Sequence, residues 1–130
     1  MKTHGSLMIL MLVIGLLMSW EAPAVCAQFV QSLSVTVTNY PNPFDSRNGR
    51  TTICYSLTQD SQVRVAIYDL LGNLVKQYPS VEQAAGTASI VWDGTNEASE
   101  KVARGGYLVL IVARSASGIT QAIRKIGVLH

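Results

Sequence analysis

From residue 33 onward apolar and polar residues take turns along short runs. Leu33, Val35 and Val37 alternate with Ser34, Thr36 and Thr38, and Ile53, Tyr55 and Leu57 alternate with Thr52, Cys54 and Ser56. Val63, Val65 and Ile67 alternate with Arg64, Ala66 and Tyr68. Successive side chains of an extended chain point to opposite faces, so a period of two marks half-buried strands. Leu74 to Tyr78 returns as the hairpin partner of the third strand. Ala88, Ile90 and Trp92 form one face of a fifth, Tyr107–Ala113 is a sixth, and Ile119–Leu129 closes the chain. Pro79 to Gly86 reads as a loop. About seven short strands separated by polar turns predict an all-β, antiparallel β-sandwich.

The stretch from Asn39 to Leu57 organises this pattern. Pro41 and Pro43 fix φ and remove two backbone donors, so neither a helix nor a central strand passes through them. Asn48-Gly49 tolerates positive φ and completes the turn into the next strand. Asp69-Leu-Leu-Gly72 has Asp and Gly at the first and fourth positions of a type I turn. Trp92, Tyr55 and Tyr107 are expected to fill the space between the sheets, and Tyr40 and Phe44 to clamp the proline turn onto the sandwich edge.

Before the first strand the character changes. Lys2 precedes a nearly unbroken apolar run, Leu7 to Met18, and a small-residue stretch ends at Val25-Cys26-Ala27. That order is the charged, apolar and cleavage regions of a secretory signal. The run is shorter than the ~18 residues a spanning helix needs, so contact with the membrane is expected only in transit. The expected organisation is a signal peptide 1–27, a short linker 28–32 and one domain 33–130. A lipid acceptor at Cys26 would resemble a lipoprotein signal if a small residue preceded it directly and a leucine stood three before. Val25 and Pro23 hold those places, which favours cleavage after Ala27. The formal net charge of +2 is too slight to imply a nucleic-acid partner. Cys54 is then the one remaining cysteine, so no internal disulfide forms.

Candidate chemistry is sparse, and no catalytic, cofactor or metal residue is assigned. His4 belongs to the signal segment and His130 is the last residue, leaving no internal histidine to serve as general base beside a serine or Cys54. Cys54 sits mid-strand, and the sequence gives no hint of a partner that would activate it, so it reads as a structural thiol. No glycine-rich phosphate loop and no zinc-type Cys/His spacing occur. Asp93, Asn96, Glu97 and Glu100 crowd one turn and could offer oxygens to calcium, but their spacing suits a solvated loop better. Asp45 and Asp60 read as turn residues.

Several ordered segments resemble known families. These are Tyr40-Pro-Asn-Pro-Phe44, Thr51-Thr-Ile-Cys-Tyr-Ser-Leu57, Val65-Ala-Ile-Tyr-Asp-Leu-Leu-Gly-Asn-Leu-Val75, Trp92-Asp-Gly94 and Gly105-Gly-Tyr107. Together they resemble the immunoglobulin-like domain of flagellar hook-capping proteins and the related C-terminal sorting domain of type IX secretion cargo. The resemblance runs from Tyr40 to about Leu129 and implies an Ig-like, fibronectin III-like sandwich. Hook caps of this kind carry an N-terminal assembly region and are exported without a cleaved signal, and this chain departs from them on both points. Sorting domains follow a large cargo, whereas only Gln28–Ser32 separates signal from first strand here. Ser99 stands where the families usually have a turn glycine, and Gly106 where they usually have a β-branched residue. Gly127 is expected to interrupt the last strand.

One strand breaks the alternation. In Tyr107-Leu-Val-Leu-Ile-Val-Ala113 both residue sets are apolar, so neither face is marked for solvent. The Ig-like strand order implied by the resemblance lays it beside Val63–Asp69. Leu108, Leu110 and Val112 then join Ala66 and Tyr68 in an apolar patch on the outside of a sheet, the kind of surface that marks contact with another protein. The sequence therefore reads as an exported, non-catalytic binding or assembly module that meets a protein partner, or another copy of itself, through this face. Two other readings stay open: a type IX sorting domain without its cargo, and a calcium-stabilised accessory module using the Asp93–Glu100 turn.

Overall fold

Eight strands form the computed structural model, which describes residues 31–130. The expected signal peptide, its cleavage site and the first linker residues lie outside the described residues. The strands are β1 (Val35–Tyr40), β2 (Thr51–Leu57), β3 (Ser61–Asp69), β4 (Leu74–Gln77), β5 (Val81–Gln83), β6 (Gly86–Trp92), β7 (Gly105–Ser115) and β8 (Gly118–Val128). One sheet has the order β1-β2-β6, and the other β4-β3-β7-β8 with β5 also paired to β3. All pairings between these strands are antiparallel. The expected sandwich is therefore present, with eight strands rather than about seven.

The additional strand is β5, which lies where the sequence suggested a loop. Its three residues are too few to show a period. They pair with Ser61–Val63 on the same side of β3 that β4 occupies further along. The first strand begins at Val35 rather than Leu33, although Leu33 still packs against the core.

The inward set of each strand forms one core between the sheets. Ile53, Tyr55 and Leu57 face Val63, Val65 and Ile67, with Val109, Ile111, Ile126 and Val128 completing the second layer. Burying each aliphatic side chain of this size contributes on the order of 1.5–3 kcal/mol. Trp92 is fully buried among them. Its ring meets Phe44 and Tyr107 edge-on at centroid distances of 5.7 and 5.4 Å, and its indole N–H donates to the Thr95 carbonyl at 2.9 Å.

The proline turn closes one side of the sandwich. Both X–Pro bonds, Tyr40–Pro41 and Asn42–Pro43, are cis. Phe44 N–H donates to Gly127 O at 3.0 Å and Leu129 N–H to Phe44 O at 2.9 Å, forming a parallel bridge between Phe44 and Val128. Asn42 donates to Lys125 O and accepts from Gly127 N–H. Buried Asn39 donates to Thr51 Oγ1 and accepts from Asn42 and Arg124. Phe44 thus acts as the clamp. Tyr40 does not: it is 82% exposed, because the turn directs its ring to solvent.

Gly127 does not break the last strand. β8 runs through it to Val128, and a Cβ there would sit 3.0 Å from Pro43 Cβ. The missing side chain makes room for the proline turn. Ser99 adopts φ +62°, the left-handed conformation for which a glycine is the usual choice, and its N–H closes the turn onto Asn96 O.

Candidate functional site

The β3–β7–β8 register sets the outer face of the larger sheet. Tyr68, Leu108 and Lys125 form one row, Ala66, Leu110 and Ile123 the next, and Arg64, Val112 and Gln121 a third. The five residues singled out from sequence therefore all lie on this outer face, but they do not line one hollow. Tyr68, Leu108 and Leu110 line a hollow of about 440 Å³ with Leu70, Leu71 and Ile123. Ala66 is buried beside Leu110 and lies outside that lining. Val112 faces a separate, more polar hollow with Arg64 and Arg114.

The hollow owes its rim to the β3–β4 turn. Asp69 Oδ1 accepts the Leu71 and Asn73 N–H groups, each at 2.9 Å, and Oδ2 accepts the Asn73 side-chain amide. Gly72 N–H closes onto Asp69 O at 3.1 Å with Gly72 at φ +89°. The Asn73 contacts, foremost the amide side chain, hold the Asp69 carboxyl below its ordinary range. A turn pinned in this way cannot tuck its leucines inward, and Leu71 is 89% exposed. Leu70 leans back over the sheet, where a Cβ on Gly106 would lie 3.1 Å from it. The missing side chain of Gly106 is the space Leu70 uses.

Sequence reasoning did not find Ile123, Leu70 and Leu71. Ile123 joins the patch only through its register with Leu110, which alternation within β8 does not reveal. The leucine pair carried a usable signal: two adjacent large apolar residues in a tight turn have no core to enter.

The acidic turn is built for structure. Asp93 Oδ1 accepts from Thr95 N–H and Oγ1 at 3.2 and 2.6 Å, and Asn96 Oδ1 accepts from Ala98 and Glu100 N–H. Glu97 takes the Gln77 N–H and donates its own N–H to Val75 O. The turn thereby covers the outer edge of β4, a strand edge that would otherwise be open to pairing. Among the described residues no three His, Cys, Asp or Glu side chains group as metal ligands.

A family model for the FlgD Ig-like domain matches residues 41–117, more than half of the chain. The chain belongs to the FlgD Ig-like domain family. Solved structures agree on the fold. PorU from Porphyromonas gingivalis, described as dimeric and latent, matches with 27% identity and a TM-score of 0.62 over 78% of this chain. FlgD from P. aeruginosa matches with 21% identity and a TM-score of 0.56 over 71% of this chain and 69% of its own. PorZ from P. gingivalis, described as a surface component of the type IX secretion system, matches with 23% identity and a TM-score of 0.50 over 72% of this chain. This chain spans only 10% of the length of PorU and 11% of that of PorZ. No curated protein sequence matches the chain.

Proposed function

We propose that this FlgD Ig-like domain is an exported, non-catalytic module that docks onto a protein through the outer face of its larger sheet. The observation that carries the reading is the hollow of Tyr68, Leu70, Leu71, Leu108, Leu110 and Ile123. Large apolar side chains left in contact with water favour association, because covering them releases hydrating water. The occupant is a partner at the bacterial envelope or a second copy of this chain. Apolar rather than charged contact fits the weak net charge. The signal-like segment 1–27 supports export to the periplasm, cell surface or medium.

The test is Leu110→Lys in the full chain. Leu110 is partly buried on the outer face rather than in the core, so unfolding free energy should fall by about 1 kcal/mol. Self-association by sedimentation, or crosslinking to envelope proteins, should be lost. Unchanged association together with a large loss of stability would show instead that the face supports the fold alone.

A second reading, a type IX sorting domain, draws on the sequence resemblance and on the likeness to PorZ. Intact-mass measurement on protein from envelope and medium separates the two. The docking module should begin at Gln28 and keep β7 and β8. Loss of those strands, or an adduct at the C-terminal side, would support sorting, and a lipid-sized gain at Cys26 would overturn cleavage after Ala27.

A further inference from the structure

A second surface, away from the apolar hollow, carries concentrated positive charge. A cleft of about 440 Å³ opens between β4, the end of β6 and the turns on either side of them, with Arg47, Arg50, Lys76 and Lys101 in its walls. Asp93 is the one carboxylate among its lining residues. Two of the cations are held in place by neutral oxygens: Lys76 Nζ donates to Thr95 Oγ1 at 3.2 Å and Lys101 Nζ to Asp93 O at 2.7 Å. Neither lysine forms an ion pair, although the Asp93 carboxylate lies near enough to Lys101 to be stabilised by it. Arg47 is paired with Asp45 at 2.9 Å, the only ion pair among the described residues. Arg50 and Lys76 therefore face the cleft with no carboxylate within 4 Å.

The remaining groups suit an anion. The Asp93 carboxylate accepts from Thr95 through Oδ1 and stays ionised, one negative charge against the four cations of the walls. Tyr78 donates its hydroxyl to Val91 O at 3.1 Å, and burial, with Asp93 and Glu97 nearby, pushes its pKa to about 12, so it adds no second negative charge. Ser46, in the same wall, is buried with a hydroxyl that has no partner among the described residues. β6 leads out of the cleft as the end strand of its sheet, and an end strand offers backbone groups to an extended chain.

We propose that this cleft receives the carboxylates of an acidic peptide segment laid in extended form against the outer edge of β6. The edge strand favours a peptide over an acidic polysaccharide, which has no backbone amides to pair with it. Charges fixed before binding lose little freedom on contact, which favours capture.

The test is an NMR titration of the full chain with deca-glutamate, inorganic phosphate and a mannuronate oligosaccharide in parallel. Deca-glutamate should shift Arg50, Lys76 and Lys101 together with the amides of Thr87–Ile90. Its affinity should fall about tenfold in Lys76→Gln/Lys101→Gln, and also as salt rises from about 20 to about 200 mM. Arg50→Gln makes the result independent of folding, since Arg50 forms no side-chain hydrogen bond or ion pair among the described residues; it should weaken binding at an unchanged melting temperature. Shifts spread over all basic residues, silent β6 amides, or full affinity in Arg50→Gln would overturn the proposal. Equal binding of phosphate or the oligosaccharide would overturn the peptide assignment.

Discussion

Trp92→Ala should cost about 4 kcal/mol of folding free energy, a large share of the ~5–15 kcal/mol that holds a domain folded. Trp92 is fully buried at the end of β6. It meets the proline turn through Phe44 and the start of β7 through Tyr107, so its removal opens a cavity bordered by both sheets. The loss has a polar part as well, because the Thr95 carbonyl that accepts the indole N–H is left without that donor. Trp92→Phe separates the two, keeping an aromatic ring while deleting the hydrogen bond, and should cost about 2 kcal/mol. Urea unfolding followed by far-UV circular dichroism suits both variants, since each substitution removes the tryptophan that reports on the core. The midpoint should fall with an unchanged slope. A cost under ~1 kcal/mol for Trp92→Ala would mean that the surrounding side chains collapse into the space, and that Trp92 is not the keystone its contacts suggest.

Gly94→Ala should be nearly as damaging, about 3 kcal/mol, for two separable reasons. Gly94 adopts φ +79°, and a Cβ there would lie 2.6 Å from Ser46 Cβ and 3.4 Å from Phe44 Cζ. The first effect is intrinsic to an L side chain in a left-handed conformation and costs roughly 1 kcal/mol. The second is a collision with a buried neighbour, relieved only if Ser46 or its turn moves. Adding Ser46→Gly removes the colliding atom and should recover the steric share, leaving the conformational share in place. A double-mutant cycle should therefore show a favourable coupling of about 1–2 kcal/mol. Simple additivity would mean that the proline turn shifts freely and does not lock onto the Trp92-Asp93-Gly94 corner.

Alternation made most of this fold legible. Val63, Val65 and Ile67 in β3 and Ile53, Tyr55 and Leu57 in β2 are inward residues in both sequence and structure, because a half-buried sheet imposes a period of two on its own composition. The same logic fails for β5, whose Val81-Glu82-Gln83 is held by pairing with β3 rather than by an apolar face of its own. It fails for Tyr40, since a bulky ring beside prolines does not reveal which way the turn will point it. At Gly127 the sequence shows a missing side chain but not the Pro43 ring that needs the space. The apolar hollow was half legible. The doubly apolar β7 announced that its outer side lacks polar cover. Which residues share the hollow depended on cross-strand register and on the leucine turn, and those separated Val112 from Leu110. The basic cleft was not legible: Arg47, Arg50, Lys76 and Lys101 come from three separate segments that only the meeting of the two sheet edges brings together.

The Phe44–Val128 bridge gives the domain a mechanical polarity. Its two hydrogen bonds join segments that run in the same direction. A pull that draws the proline turn toward the chain's beginning and β8 toward its end loads both bonds along the strand axis at once. The chain must slide before either bond is free to part, and the side-chain ties of Asn42 to Lys125 and Gly127 resist the same displacement. An antiparallel hairpin pulled from its open end would surrender its bonds one after another. A module held at its leading side and gripped by its last strand therefore meets tension in shear, the orientation in which a few short hydrogen bonds resist force together.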